Sequence, residues 1–346
     1  AYLGGGDAFV RKYDGFGNEL WTRQFGTSDG DIAVVVAVDA SGNIYVAGVT
    51  GGVFPGQSSS GGPDAFIRKY DASGNELWTR QFGSSSTDWA EGVAVDASGN
   101  VYVSGYVDGA LPGQTFLGGW SDAFVRKYDA SGNELWTRQF GSSESDEAWS
   151  VAVDGSSNVY VSGHVGGALP GQTFLGGSDA FVRKYDGAGN EIWTRQFGSS
   201  SMDDARDVAV DLSGNVYVAG TTLGVLPEQS SSGNVDAFVR KYDGSGNELW
   251  TRQFGTSEYD DVYGVAVDGS GNVYVAGDTW GTFPGQAHLG ERDAFLIKFV
   301  QDVTPPTITD ITYTTLPPFT ISARITDDVS LMYTGLDVLL DNQCFM

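Results

Sequence analysis

The chain has 346 residues, 50 of them glycine, with 13% aromatics and a formal net charge of −25 from 44 acidic against 19 basic residues. So acidic a surface repels phosphate backbones and anionic lipid, which excludes nucleic acid and the membrane surface as expected partners. The aromatic content excludes a disordered Gly/Ser chain, and a single cysteine, Cys344, excludes a disulfide framework or a Cys/His zinc site.

From Ala1 onward the sequence carries no signal-peptide pattern and reads as a mature or excised piece. The triplet "DAF" begins at Asp7, Asp64, Asp122, Asp179, Asp236 and Asp293, at spacings of 57, 58, 57, 57 and 57. The extra residue falls near Trp120. Periods of this size mark solenoids, propellers or arrays. One period holds four strand candidates: "VAVD" (93–96), "VYVSGYV" (101–107), "DAFVRKYD" (122–129) and "ELWTRQFG" (134–141). Each alternates or is rich in Val, Tyr, Phe and Trp. Strands one and two, and strands three and four, are joined by "ASGN" after an Asp. There the Asp side chain bonds back to its own backbone and Gly takes the left-handed position of a bulged turn.

Four antiparallel strands repeated around an axis form the blade of a β-propeller. The long, variable connections, such as "GALPGQTFLGGWS" (109–121) and "SSSTDWAEG" (84–92), then share one face, the expected seat of function by the general behaviour of loops. The expected fold is all-β, with about five 57-residue blades over residues 1–300. If the N-terminal strands complete the last blade the ring closes at five; the alternative is an open part of a larger ring. No stretch approaches a membrane span: the longest apolar run, "IAVVVAV" (32–38), is strand-sized. All six lysines fall in one repeated slot of the third strand.

The string "DASGNVYVSG", preceded by "DWAEGVAV" and followed by "DAFVRKYD", resembles the prokaryotic β-propeller repeat known as SBBP, over about residues 1–300. That resemblance implies a propeller in extracellular or cell-surface proteins, mostly without assigned activity. The chain departs from it in showing five repeats, not seven. After Val300, "QDVTPPTITDI" reads as a Pro-containing linker (301–306), and 307–346 resembles the start of a bacterial immunoglobulin-like domain, too short for a whole sandwich.

Residues present at one slot in every copy are most simply part of blade construction. Trp21, Trp78, Trp136, Trp193 and Trp250 are of this kind. "GNELW" resembles the Gly-to-Trp docking turn of quinoprotein propellers, where Trp packs between blades. Arg23, Arg80, Arg138, Arg195 and Arg252 are expected to pair with nearby aspartates. "GTSDG" (26–30) satisfies G-x-S-x-G, but it lacks the strand–turn–helix context of a nucleophile elbow and its sibling copies lose the second Gly. His164 and His288 have no partnering ligand by sequence and read as satisfied surface histidines.

Function is expected where the copies diverge. Asp31, Asp88, Asp146, Asp203 and Asp260 share the slot that opens the first, innermost strand. They either cap their own loops or, in a sharper reading, ring the channel mouth and hold a hard cation such as calcium. Around them stand Trp89, Glu91, Glu147, Trp149, Arg206 and Tyr263, and after the second strand Tyr106, His164 and Asp278. Aromatics interleaved with carboxylates suit a sugar or a cationic side chain. The expected function is a non-catalytic, monomeric binding scaffold for a polysaccharide or surface protein. Two alternatives are a carbohydrate-active hydrolase or lyase using Glu91 and Glu147, which needs carboxylates roughly 5–10 Å apart, and a calcium-stabilised structural protein.

Overall fold

Alternation and turn chemistry set the strands, and the strands set the sheets. The computed structural model describes residues 4–287 and 289–300, and the backbone of 307–313 and 321–326. A leading pair, β1 (Ala8–Tyr13) and β2 (Glu19–Phe25), precedes four complete blades. Blade 1 is β3 (Asp31–Val38), β4 (Ile44–Thr50), β5 (Asp64–Tyr70) and β6 (Glu76–Phe82), and blade 2 is β7 (Asp88–Val95), β8 (Val101–Val107), β9 (Asp122–Tyr128) and β10 (Glu134–Phe140). Blade 3 is β11 (Asp146–Val153), β12 (Val159–Val165), β13 (Asp179–Tyr185) and β14 (Glu191–Phe197), and blade 4 is β15 (Asp203–Val210), β16 (Val216–Thr222), β17 (Asp236–Tyr242) and β18 (Glu248–Phe254). Blade 5 has three strands, β19 (Asp260–Val267), β20 (Val273–Thr279) and β21 (Asp293–Phe299). Every sheet is an antiparallel meander in chain order.

The leading pair does not complete blade 5. It forms its own two-stranded sheet beside blade 1, and among the described residues no strand pairing joins it to β19, β20 or β21. Closure at five blades is therefore not what the chain adopts. The reason lies in the strands themselves: β1 is a third strand, and β21 already fills that position in blade 5.

The repeated turn works as its chemistry dictates. Asp129 Oδ1 accepts from the Ser131 and Asn133 amides at 2.9 and 2.8 Å, and Oδ2 accepts from Asn133 Nδ2 at 2.8 Å. The Gly132 amide donates to the Asp129 carbonyl, with Gly132 at φ +79°. Ser157 holds this left-handed slot in one turn, at φ +62°, and its hydroxyl donates to Asp96 of the preceding blade at 3.2 Å.

Blades are clasped through the same turns. Trp136 Nε1 and Lys127 Nζ both donate to the Gly187 carbonyl of the next blade, at 3.2 and 2.9 Å, and Arg138 Nε donates to the Gly189 carbonyl at 2.8 Å. Trp78, Lys69 and Arg80 hold blade 2 in the same way, and Trp193, Lys184 and Arg195 hold blade 4. The repeated arginines thus serve backbone carbonyls rather than the aspartates expected for them. Each such bond contributes about 1 kcal/mol net. The other repeated arginine, Arg183, lies over Phe140 of the blade before, 4.3 Å from the ring centroid, and pairs with Glu191 at 3.6 Å. Second and third strands are buried along nearly their whole length, because each lies mid-sheet with a neighbouring blade on either face.

Residues 300–346 form a separate unit, described only as β22 (Thr307–Tyr313) paired antiparallel with β23 (Ile321–Thr326). Most of the segment expected to be immunoglobulin-like lies outside the described residues, as does His288.

Candidate functional site at the inner-strand rim

The first strand of each blade begins earlier than its alternation suggests. β7 runs from Asp88, β11 from Asp146 and β15 from Asp203, so the divergent residues lie on strand rather than in a loop. A bulge conceals this. In β11, Ala148 pairs with Gly163 and Ser150 with Ser162, leaving Trp149 as the extra residue. Glu91, Arg206, Tyr263 and Val34 hold the same position in their blades. Bulges bend a strand and re-aim its side chains. The glycine facing each bulge follows from it: a Cβ on Gly163 would overlap the Glu147 carbonyl oxygen. One residue before the residue that flanks the bulge (Ala90, Ala148 and Val262), cross-strand pairs form between Trp89 and Tyr106, Glu147 and His164, and Asp261 and Asp278. The predicted residues are therefore a bulge residue and a cross-strand pair in blades 2 and 3, the bulge residue Arg206 in blade 4, and the bulge residue Tyr263 with one member of the pair, Asp278, in blade 5.

These sets join across blades. Trp89 and Tyr106 stack at 6.3 Å with their planes 13° apart. Beside them Glu91 accepts no hydrogen bond among the described residues; burial raises its pKa, and the neighbouring Glu147 raises it further. Glu147 accepts from Trp149 Nε1 at 2.8 Å. Trp149 packs on His164, with centroids 4.6 Å apart, and the Arg206 guanidinium of blade 4 lies 4.2 Å from the Trp149 ring centroid. Arg206 pairs with Asp204 at 2.9 Å. Burial lowers the pKa of His164, opposed by Glu147 and helped by Arg206, and its ring stands 4.0 Å from Asp204. It is thus a half-buried strand residue, not a surface one.

Two predicted residues are engaged by the chain itself. Arg292 grips Asp278 through both carboxylate oxygens at 2.6 Å, and it also donates to the Tyr263 hydroxyl. Sequence reasoning missed Arg292, although it breaks a slot held by Pro63, Ser121, Ser178 and Val235. It also missed Asp207, whose slot holds Val35, Gly92, Ser150 and Gly264 elsewhere. Asp207 accepts from Ser150 Oγ of blade 3 at 2.6 Å and from the Val265 amide of blade 5 at 2.8 Å, so one carboxylate ties three inner strands. Trp149 carries Arg206 on its face, and blade 5 closes on itself. Among the described residues the side chains of Trp89, Glu91 and Tyr106 make no hydrogen bond or ion pair, and beside them Glu147 makes one, to Trp149; all four are partly buried. A shallow hollow of about 670 Å³ at Thr27, Asp29, Gly52 and Pro55 lies elsewhere and brings together none of these residues.

Among the described residues the five opening aspartates, expected as a ring that could hold a cation, do not come together in one group. Each is buried and caps its own loop: Asp88 Oδ2 accepts from the Ser84 amide at 2.7 Å, Asp203 from Ser199 at 2.6 Å, Asp260 from Thr256 at 2.6 Å, Asp31 from Thr27 at 2.6 Å, and Asp146 from Ser142. Each faces a third-strand aspartate of the preceding sheet, as Asp88 faces Asp64 and Asp146 faces Asp122. Among the described residues no three His, Cys, Asp or Glu gather as a metal ion would require.

Comparison with known proteins places this architecture. The SBBP β-propeller repeat model matches at residues 20–55, 77–111, 135–164, 192–227 and 249–284. The chain belongs to the SBBP β-propeller-repeat family. Each SBBP match runs from the fourth strand of one sheet, across the inner strand of the next, to beyond its second strand or, in blade 3, to His164 within it. The rim therefore lies inside the repeat rather than between repeats. This SBBP chain is 28% identical over 342 residues to the regulatory protein FlaEY of Caulobacter vibrioides, covering 85% of this chain and 35% of that protein. It is 24% identical over 355 residues to an uncharacterized WD repeat-containing protein of Acanthamoeba polyphaga mimivirus, covering 78% of this chain and 26% of that one. The chain thus spans about a third or less of these relatives. A protein of unknown function from Dyadobacter fermentans is similar in structure, with 12% identity and a TM-score of 0.46 over 82% of this chain and 79% of that one.

Proposed function

We propose that this protein is a non-catalytic, extracellular or cell-surface binding scaffold whose ligand meets the inner-strand rim at blades 2 and 3. The observation that carries this is the Trp89–Tyr106 stack standing beside Glu91 and Glu147, side chains that depart from the repeat on a backbone that keeps it. A flat aromatic pair offers apolar area to a sugar face, and two acceptors beside it suit its hydroxyls. A polysaccharide is therefore the preferred ligand class, ahead of a protein partner. The test is a glycan array with the wild type, Trp89→Ala and Glu91→Gln. Binding that both substitutions weaken about tenfold or more supports the reading. No glycan bound, or binding indifferent to both, removes it.

A second reading draws on the raised pKa of Glu91 beside Glu147. A carboxyl whose pKa is raised by burial and by a neighbouring carboxylate is the pattern of a general acid in glycoside cleavage. Product release from any glycan the array identifies, lost in Glu91→Gln while binding is retained, would favour this reading over the scaffold.

A further inference from the structure

Carboxylates stand at the bulge or in the cross-strand pair of four successive inner strands. Glu91 holds the bulge of blade 2, Glu147 pairs with His164 in blade 3, Asp204 pairs with Thr221 in blade 4, and Asp261 pairs with Asp278 in blade 5. In blades 4 and 5 the chain brings its own cation to them. Arg206 meets Asp204 at 2.9 Å, and Arg292 meets Asp278 at 2.6 Å. Among the described residues no arginine or lysine pairs with Glu91 or Glu147. The base that faces Glu147 is its cross-strand partner His164, and burial lowers the pKa of that ring.

Blades 2 and 3 are close at this point. Their inner strands abut so tightly that a Cβ on Gly92, the neighbour of Glu91, would stand 3.0 Å from the Val151 amide nitrogen. Both glutamates act on the Tyr106 phenol, whose pKa is raised by burial, then by Glu147, then by Glu91. Two carboxylates thus share one aromatic neighbour, and each disfavours the charge of the other while no cation stands between them.

The filled counterpart lies one blade further on. There the Arg206 guanidinium stands 4.2 Å from the Trp149 ring centroid while it bonds Asp204, so that an aromatic face, a carboxylate and a cation form one group. The cation is held twice, by the ring quadrupole and by the carboxylate. The Trp89–Tyr106 stack with Glu91 and Glu147 has the first two parts of that group and lacks the third.

On the reading that the ligand is a polysaccharide, we infer that it is a cationic one: its sugars carry free amines, and an ammonium enters between Glu91 and Glu147 in the role that Arg206 plays at Asp204. The face of the sugar ring rests on the Trp89–Tyr106 pair. The net charge of −25 draws such a polymer toward the protein and repels acidic glycans.

Titration calorimetry with oligomers of glucosamine, N-acetylglucosamine and glucose, matched in length and used just below neutral pH where the amine is charged, tests this. The glucosamine oligomer is expected to bind about tenfold or more tighter than the other two, and to lose that advantage as salt rises. Glu91→Gln and Glu147→Gln are each expected to bring its affinity down to that of the acetylated oligomer, while Trp89→Ala weakens all three. Circular dichroism and melting verify that the variants fold. Neutral oligomers that bind as tightly as the amine, with binding still lost in Trp89→Ala, would overturn the inference and leave the polysaccharide reading standing. A glycan array on which only neutral or acidic glycans bind would do the same. A preference for glucosamine that survives both glutamine variants would place the amine elsewhere and overturn the site. A lysine-rich peptide that binds through Glu91 and Trp89 where no amino sugar does would overturn the inference in favour of a protein partner. Absence of binding to any glycan removes the inference together with the reading it rests on.

Discussion

The indole of Trp136 lies against the Cα of Gly189 in the next blade, so closely that a Cβ there would stand 2.8 Å from Cδ2. Gly189 also sits at φ +80°. Two demands therefore meet at one residue, a left-handed turn and a ring laid flat on the backbone. Gly74, Gly132 and Gly246 meet Trp21, Trp78 and Trp193 in the same way.

Gly189→Ala is expected to destabilise the protein by about 2–4 kcal/mol, adding left-handed strain to overlap with the indole. Gly187→Ala, two residues earlier, is expected to be nearly neutral, since it meets only ordinary contacts and Ala72 and Ala130 already hold that slot. The shift in urea midpoint of the two variants measures the difference. Equal midpoints would mean that the ring does not rest on this glycine.

Asp207 should be the most sensitive residue of the inner strands. Asp207→Ala leaves the Val265 amide and the Ser150 hydroxyl without their acceptor, at an expected cost of about 2–4 kcal/mol. Asp207→Asn keeps an acceptor, and because burial raises the Asp207 pKa it also removes a charge the site disfavours. Its melting temperature is expected to lie much closer to wild type than that of the alanine variant.

Stability should fall as pH rises. Burial pushes Asp88 and Asp146 up to about 7, opposed in part by the Ser84 and Ser142 amides, with Asp64 and Asp122 adding repulsion. A carboxyl raised in the folded state holds its proton there while the unfolded chain has lost it. Its contribution is complete below the unfolded value and disappears as pH passes the folded one. The turn aspartates Asp71, Asp129, Asp186 and Asp243 act oppositely: the Asn side chain and then backbone amides lower their pKa values, so their contribution is lost only in acid. The melting temperature is therefore expected to be several degrees higher near about pH 5 than near about pH 8. Asp88→Asn with Asp146→Asn should flatten that slope. A wild type more stable at the higher pH would contradict the assignment.

Chelation is expected to leave the melting temperature unchanged, because the opening aspartates accept hydrogen bonds from their own loops and gather in pairs, not in larger groups. A drop of several degrees with chelator, restored by calcium, would return these carboxylates to the role of metal ligands.

The blades were legible in the sequence because every signal for them recurs. The Asp-x-x-Gly-Asn turn, the strand alternation and the Trp slot are each local, and each repeats with a period of about 57 residues. The start of the inner strand was not legible. At Glu91 and Trp149 a bulge breaks the two-residue period just where the side chains also vary. The rim residues could be nominated because they differ between copies. Their partners could not, since Arg206 reaches Trp149, and Asp207 reaches Ser150, only after blades separated by 57 residues are packed together. The partners of the repeated arginines were misjudged for a related reason. Carbonyl acceptors are invisible in a sequence, whereas aspartates are conspicuous.

One slot of this backbone accepts valine, glutamate, tryptophan, arginine and tyrosine in five successive blades while the strands around it keep their register. Bulge and clasp draw on different residues, so mutation can rewrite the one without disturbing the other. The central residue of that slot is consequently an interchangeable part, whereas the flanking Ser150 and Asp207, bonded to each other across blades, are not. Five positions, each carrying a different side chain on a constant frame, give the fold a place where new recognition can evolve, or be engineered, one blade at a time.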